Sequence, residues 1–123
     1  RWPINFLACS LEGAQEIGGG AALGFDAVYT LDVLEHIAPD ANFLRALREA
    51  APVAVIGTPS KESQAYASEM SRLGHVNCYS GADLRARLLE FWDRVFVFTM
   101  HDEVLGTSFY PMAHYLLALC VRR

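Results

Sequence analysis

Three features of this 123-residue sequence predict an α/β fold on an open, mostly parallel sheet. Apolar runs of strand length alternate with amphipathic stretches at helical spacing, the order expected when helices carry the chain back across a sheet. The connections between the early runs are long enough for parallel crossovers, which need about a dozen residues. The last two apolar runs have no helix between them, so the final strand is expected to return antiparallel to its predecessor.

Residues 4–8 after Pro3 read as a short strand, and the polar stretch 10–15 as its exit. The glycine-rich segment 18–24 leads into a strand. A phosphate-binding glycine loop instead follows a strand and opens a helix, so this segment reads as a flexible connection. Phe25, Ala27, Val28 and Leu31 give the content of a strand covered on both faces. Pro39 and Asp40 suit a helix start, and Phe43, Leu44, Leu47 and Ala51 recur at helical spacing, predicting an amphipathic helix to about Ala50. Pro52 resets the chain before a second buried strand over 53–57, which ends in Thr58-Pro59-Ser60. Helices are expected at roughly 62–73 and 82–91, the second opened by Ser80 as N-cap with Asp83 three residues on. A third core strand covers 95–99. Residues 101–108 read as a solvated polar loop and 112–121 as the last strand.

Composition bounds the function. At this length and 53% hydrophobic content, one well-packed domain is expected. A net charge of −4 gives no basic surface of the kind that phosphate-backbone binding uses, so nucleic acid is not an expected partner. Cys9, Cys78 and Cys120 are odd in number and never in a C-x-x-C pair, which fits a reducing, cytoplasmic setting and no disulfide framework. No apolar run approaches the roughly 18 residues that span a bilayer. The chain starts at Arg1 without a signal-peptide pattern, as a segment from inside a larger protein would.

The segment 25–37, FDAVYTLDVLEHI, carries the most chemistry. Asp32, Glu35 and His36 arrive at the carboxyl end of a buried strand, where open α/β sheets place their ligands. His36 is the nearest candidate base, because its ordinary pKa lies close to neutrality; Glu35 and His36 could equally brace a helix start. Tyr66, Arg72, His75, Asn77 and Tyr79 are expected over the same edge. His101, Asp102 and Glu103 read as loop polarity, and His114 as a hydrogen-bonded, half-buried histidine. Ser60 and Ser63 lack a nucleophile-elbow context, so hydrolase chemistry is not expected.

These motifs resemble the class I S-adenosylmethionine-dependent methyltransferases, in the style of the type 11/12 domains. Segment 25–37, with its Leu-Asp-Val-Leu-Glu-His-Ile run, resembles their fourth strand and the loop after it. Residues 53–60 resemble the fifth strand with its Thr-Pro exit, Gly74-His75 and Tyr79-Ser80 the approach to the next helix, and 95–99 with 112–121 the antiparallel last pair. The resemblance implies a Rossmann-like methyltransferase fold covering the third strand to the C-terminus, with the Gly-x-Gly cofactor loop and the ribose-binding acid lying upstream. It implies S-adenosylmethionine as cofactor, bordered by Ser10, Leu11, Leu31 and Asp32, with Ser10 standing where relatives often carry Asp. It further implies His36 and His75 beside a small-molecule acceptor whose oxygen, nitrogen or carbon is methylated.

No metal is assigned on this reading. Asp32-x-x-Glu35-His36 with His75 nevertheless resembles the acid-x-x-acid-His plus distant His arrangement of small-RNA terminal 2′-O-methyltransferases and ubiquinone-pathway O-methyltransferases. Positions 32, 35 and 36, taken as one helical turn, would present two carboxylates and an imidazole to a divalent cation. Asp32 departs from those families' Glu by one methylene. Without the upstream loop, the chain as given is expected to bind cofactor poorly, to be inactive alone, and to self-associate through an exposed strand edge. The alternatives are a non-catalytic methyltransferase-like module and a fragment of another nucleotide-binding Rossmann-type protein, the latter disfavoured by the antiparallel final strand.

Overall fold

The computed structural model describes residues 25–102, 104–107 and 110–123. Among the described residues five strands form one sheet in the order β1-β2-β5-β3-β4: β1 is Ala27–Leu31, β2 Val53–Pro59, β3 Arg94–His101, β4 Val104–Gly106 and β5 Tyr115–Val121. The α/β architecture expected from the sequence is present, with β5 returning antiparallel between β2 and β3. Among the described residues, parallel strand pairing joins β1 to β2, and an isolated parallel bridge joins Ser60 to Tyr79. The strand at 4–8, the glycine-rich segment, Ser10 and Leu11 lie outside the described residues.

The α-helices of the described residues, α1 (Ala41–Ala50), α2 (Glu69–Gly74) and α3 (Gly81–Leu89), lie along the connections. In α1 the apolar positions recur at helical spacing and bury Leu44, Ala46, Leu47 and Ala50. A reciprocal capping box opens α3: the Ser80 hydroxyl accepts the Asp83 N–H while the Asp83 carboxylate accepts the Ser80 N–H. Leu84 and Leu88 of α3 and Trp92 pack with Leu34, Leu44, Ile56, Val95, Leu116 and Cys120 in one core. Leu34, Leu44, Ile56, Leu84, Leu88, Leu116 and Cys120 have no exposed surface, which places the core under a single face of the sheet. Burial raises the Cys120 thiol to about 12. No helix among the described residues is long and apolar enough to cross a membrane.

The structure departs from the sequence reading at four places. The helix expected at 62–73 is two pieces, a 3-10 segment Glu62–Tyr66 and α2, because Ala67 is extended and the Ser68 hydroxyl caps a new helix by accepting the Ser71 N–H. Residues 101–108 are not simply a loop. Asp102, at φ 52°, turns the chain so that β4 pairs back on β3. β1 is not covered on both faces: Thr30 is buried, yet Tyr29 is 77% exposed and Leu31 46%. His114 is exposed rather than half-buried, with its Nε2 3.9 Å from the Asp102 carboxylate.

Candidate functional site

The site is built where β1 ends. Gly57 of β2 sits beside Leu31, and an added Cβ there would lie 2.6 Å from the Leu31 side chain and 2.7 Å from the Tyr115 ring. Glycine therefore lets Leu31 and Tyr115 close over the strand. The Asp32 N–H donates to the Gly57 carbonyl and to the Tyr115 hydroxyl, each at 3.2 Å. Asp32 adopts φ 55°, a left-handed conformation that Asp tolerates better than most residues. Burial, and then the Asp32 carboxylate beside it, push the Tyr115 phenol well above its ordinary range.

A 3-10 turn, Leu34–His36, follows instead of a helical start. Leu34 plugs the core and Glu35 is 1% exposed. The Glu35 carbonyl accepts the Val76 and Asn77 N–H groups at 2.8 and 3.0 Å, and the Asn77 amide donates to the carbonyls of Leu34 and Ile37. The loop after α2 is thereby tied to the end of β1. Below the turn, the buried Thr58 hydroxyl donates to the Glu35 carboxylate at 3.1 Å. A carboxylate this buried requires such partners, because an unpaired buried charge is strongly unfavourable.

Glu35, His36 and His75 bring one ligand atom each within 4.8 Å of one another. The two imidazoles meet edge to face at 5.0 Å between ring centres. His36 Nδ1 lies 2.8 Å from the Gly74 carbonyl, which can only accept, so Nδ1 carries the proton and Nε2 keeps a lone pair in the neutral ring. Nε2 is 3.9 Å from the Glu35 carboxylate. His75 is oriented in the same manner by Gln64 Oε1, 3.1 Å from its Nδ1. With Nδ1 engaged in both rings, Nε2 is left as the nitrogen that can accept a proton or ligate, and that of His36 faces the Glu35 carboxylate.

A second polar group holds the helices around the site. Arg87 of α3 and the Tyr79 hydroxyl both donate to the carboxylate of Asp40, which precedes α1, and Arg87 lies over the Phe91 ring. The Arg87 guanidinium holds the Asp40 carboxyl below its usual range against the opposing effect of burial. Tyr79 is pushed upward, first by burial and then by its bond to Asp40.

Of the four residues proposed together from sequence, three converge. Asp32 does not join them, because its left-handed backbone precedes the 3-10 turn and the one-helical-turn geometry assumed for positions 32, 35 and 36 is not formed. It lies instead with Leu31 and Tyr115 on the wall of an open trough of about 620 Å³ on the sheet. Sequence reasoning missed Thr58, Gln64 and Tyr115. Thr58 carried a signal, since it closes the second strand at its carboxyl end; Gln64 and Tyr115 carried none.

No protein-family model matches the chain, and no curated protein matches it. Among solved structures, the methyltransferase domain of bacterial CtHen1-C is similar, with a TM-score of 0.54 at 16% identity over 81% of this chain and 54% of that one. The chain therefore has a methyltransferase-type fold and spans about half the length of that neighbour.

Proposed function

We propose that the chain is the carboxyl-terminal part of a class I S-adenosylmethionine-dependent methyltransferase domain, transferring a methyl group to a small-molecule acceptor prepared by Glu35, His36 and His75. The supporting observation is the convergence of those three side chains just past β1, at the carboxyl end of the parallel pair, in a methyltransferase-type fold. S-adenosylmethionine, when bound, supplies an electrophilic methyl on a sulfonium sulfur. Leu31 and Asp32 fit a role in holding it, being exposed at the end of β1 with the Asp32 backbone fixed by two hydrogen bonds; Ser10 and Leu11 would act from outside the described residues.

In-line displacement asks the protein mainly to align the acceptor, and to take a proton when the acceptor is a hydroxyl. His36 is built for that task. Its Nδ1–H stays bonded to the Gly74 carbonyl while Nε2, 3.9 Å from the Glu35 carboxylate, accepts the proton. The same donor set fits a divalent cation, with one carboxylate oxygen and one nitrogen from each of two imidazoles, and the Nδ1 of each ring is held by an oxygen. A cation there would supply Lewis acidity to an acceptor hydroxyl.

Calorimetric titration of S-adenosylhomocysteine into this chain, and into a form extended at its N-terminal end, tests the reading. Binding by the extended form, weakened about tenfold or more by Asp32→Ala, is the expected result, since a bound cofactor group would lose a charged partner. Binding by neither form would overturn methyl transfer and favour a non-catalytic methyltransferase-like module. A parallel Mn²⁺ titration is expected to show binding that His36→Ala and Glu35→Gln abolish; an unchanged isotherm in those variants would leave His36 as a base without a cation.

A further inference from the structure

Tyr115 reaches the end of β1 from the far side of β2. It opens β5, opposite Pro59 of β2 and Met100 of β3. The residues just before it are tied on the same two sides: the Ser60 N–H donates to the His114 carbonyl and the His114 N–H to the Met100 carbonyl, at 3.1 Å each. The Ser60 hydroxyl adds a bond to the Ala113 carbonyl. A ring delivered from so fixed a backbone can be aimed. It lies over Gly57, where an added Cβ would stand 2.7 Å from both its Cε1 and its hydroxyl oxygen, and so passes across β2 to the Asp32 N–H. The ring belongs to an apolar wall, shared with Tyr29, Leu31, Val55, Met100 and Leu117, that a phenylalanine would complete equally well. The hydroxyl is therefore the part that packing does not explain. Nor does it rescue an orphaned amide, because the Asp32 N–H already has the Gly57 carbonyl at 3.2 Å. What the hydroxyl adds is a second hold on Asp32, whose φ of 55° costs free energy unless its surroundings fix it.

We propose that Tyr115 is a positioning residue for the cofactor, its hydroxyl fixing the left-handed Asp32 so that the carboxylate is held at the end of β1 and away from Glu35, His36 and His75. In the right-handed conformation that Asp more readily adopts, positions 32, 35 and 36 could share one helical turn. The hydroxyl selects against that arrangement. Burial and the adjacent Asp32 carboxylate push the Tyr115 phenol up, so it stays protonated and neutral beside that carboxylate at working pH. A side chain already anchored loses less freedom when a ligand arrives, which is how a residue that touches no cofactor raises affinity for one. The role in cofactor binding rests on the methyltransferase reading; the tether between Tyr115 and Asp32 does not.

Two measurements on Tyr115→Phe separate the tether from the cofactor reading. In the full chain without cofactor, exchange of the Asp32 amide hydrogen is followed by NMR. It should quicken about threefold to tenfold, the loss of one ordinary hydrogen bond, while the thermal midpoint holds. In the form extended at its N-terminal end, S-adenosylhomocysteine should bind about threefold to tenfold more weakly in calorimetric titration. That second loss should vanish in an Asp32→Ala background, because a residue acting through the Asp32 carboxylate then has nothing left to position. A merely structural role would weaken binding by the same factor in both backgrounds. An unchanged Asp32 amide, an unchanged affinity in the extended form, or a loss that persists beside Asp32→Ala would each overturn the proposal. Failure of the unsubstituted extended form to bind would overturn the methyltransferase reading and the cofactor role together, whatever the amide shows.

Discussion

The two faces of the sheet carry the same alternation and have opposite fates. On one face, Ile56, Val95, Val97, Leu116, Ala118 and Cys120 are buried beneath α1 and α3. On the other, Tyr29, Leu31 and Phe96 are 77%, 46% and 51% exposed, and with Val55, Met100 and Leu117 they present an apolar surface to solvent. Strands that are apolar on both sides are the pattern of sheets covered on both sides, so the open face is patterned for burial without being buried among the described residues. Apolarity in a strand reports what the fold can cover, and only the packed elements report what it does cover.

The largest effects should come from the closed face. Ile56→Ala and Leu116→Ala are each expected to lower stability by about 2–5 kcal/mol, read from urea unfolding midpoints, whereas Leu31→Ala on the open face should change it by well under half as much. Comparable losses on the two faces would mean that the trough is filled in solution. Thr58→Val probes a point where the closed face meets the site. It leaves the buried Glu35 carboxylate without its hydroxyl donor and should cost about 1–3 kcal/mol, checked by the same midpoints, with Glu35→Gln partly restoring what was lost.

A third test separates the clamp from the core by pH. The Asp40 carboxyl titrates lower in the folded chain than in the unfolded one, so its contribution is fully present above the unfolded value of about 4 and is lost as the pH falls through the folded value. Asp40→Asn should cost of order 1 kcal/mol at neutral pH and flatten the acid side of the stability profile, measured by thermal melts between neutrality and the acid limit of the fold. The smallest change in stability is expected at Tyr29→Lys, within about 0.5 kcal/mol for a site so exposed. That substitution should nonetheless raise the concentration at which the chain self-associates in sedimentation experiments, because β1 pairs only with β2 among the described residues and its free side borders an apolar face.

Where apolar residues recur with a regular period, the sequence was enough to place them. The alternation in β2, β3 and β5 and the helical spacing in α1 gave the strands, the helix and the antiparallel return. Ser80 and Asp83 fixed the start of α3 because a capping box is a local device. The interior of the long connection after β2 was not legible, since its break at Ala67 depends on Ser68 capping a new helix rather than on any apolar period. The site divides along the same line. His36 and His75 were placed at one edge by the strand that precedes each connection, but the exclusion of Asp32 turns on a single left-handed residue, and neither Gln64 nor Tyr115 could be matched to its partner before the backbone was known.

The position of β5 in the middle of the sheet gives the chain a built-in stopwatch. Cys120 is wholly enclosed between β2 and β3 and its thiol is raised to about 12, so both shielding and protonation keep it from a disulfide reagent. Cys78 is exposed and would react at once. The slow phase of labelling would then record how often the central strand is let go, and comparing that interval with and without a bound ligand would tell whether occupancy at the sheet's carboxyl edge is felt at its middle.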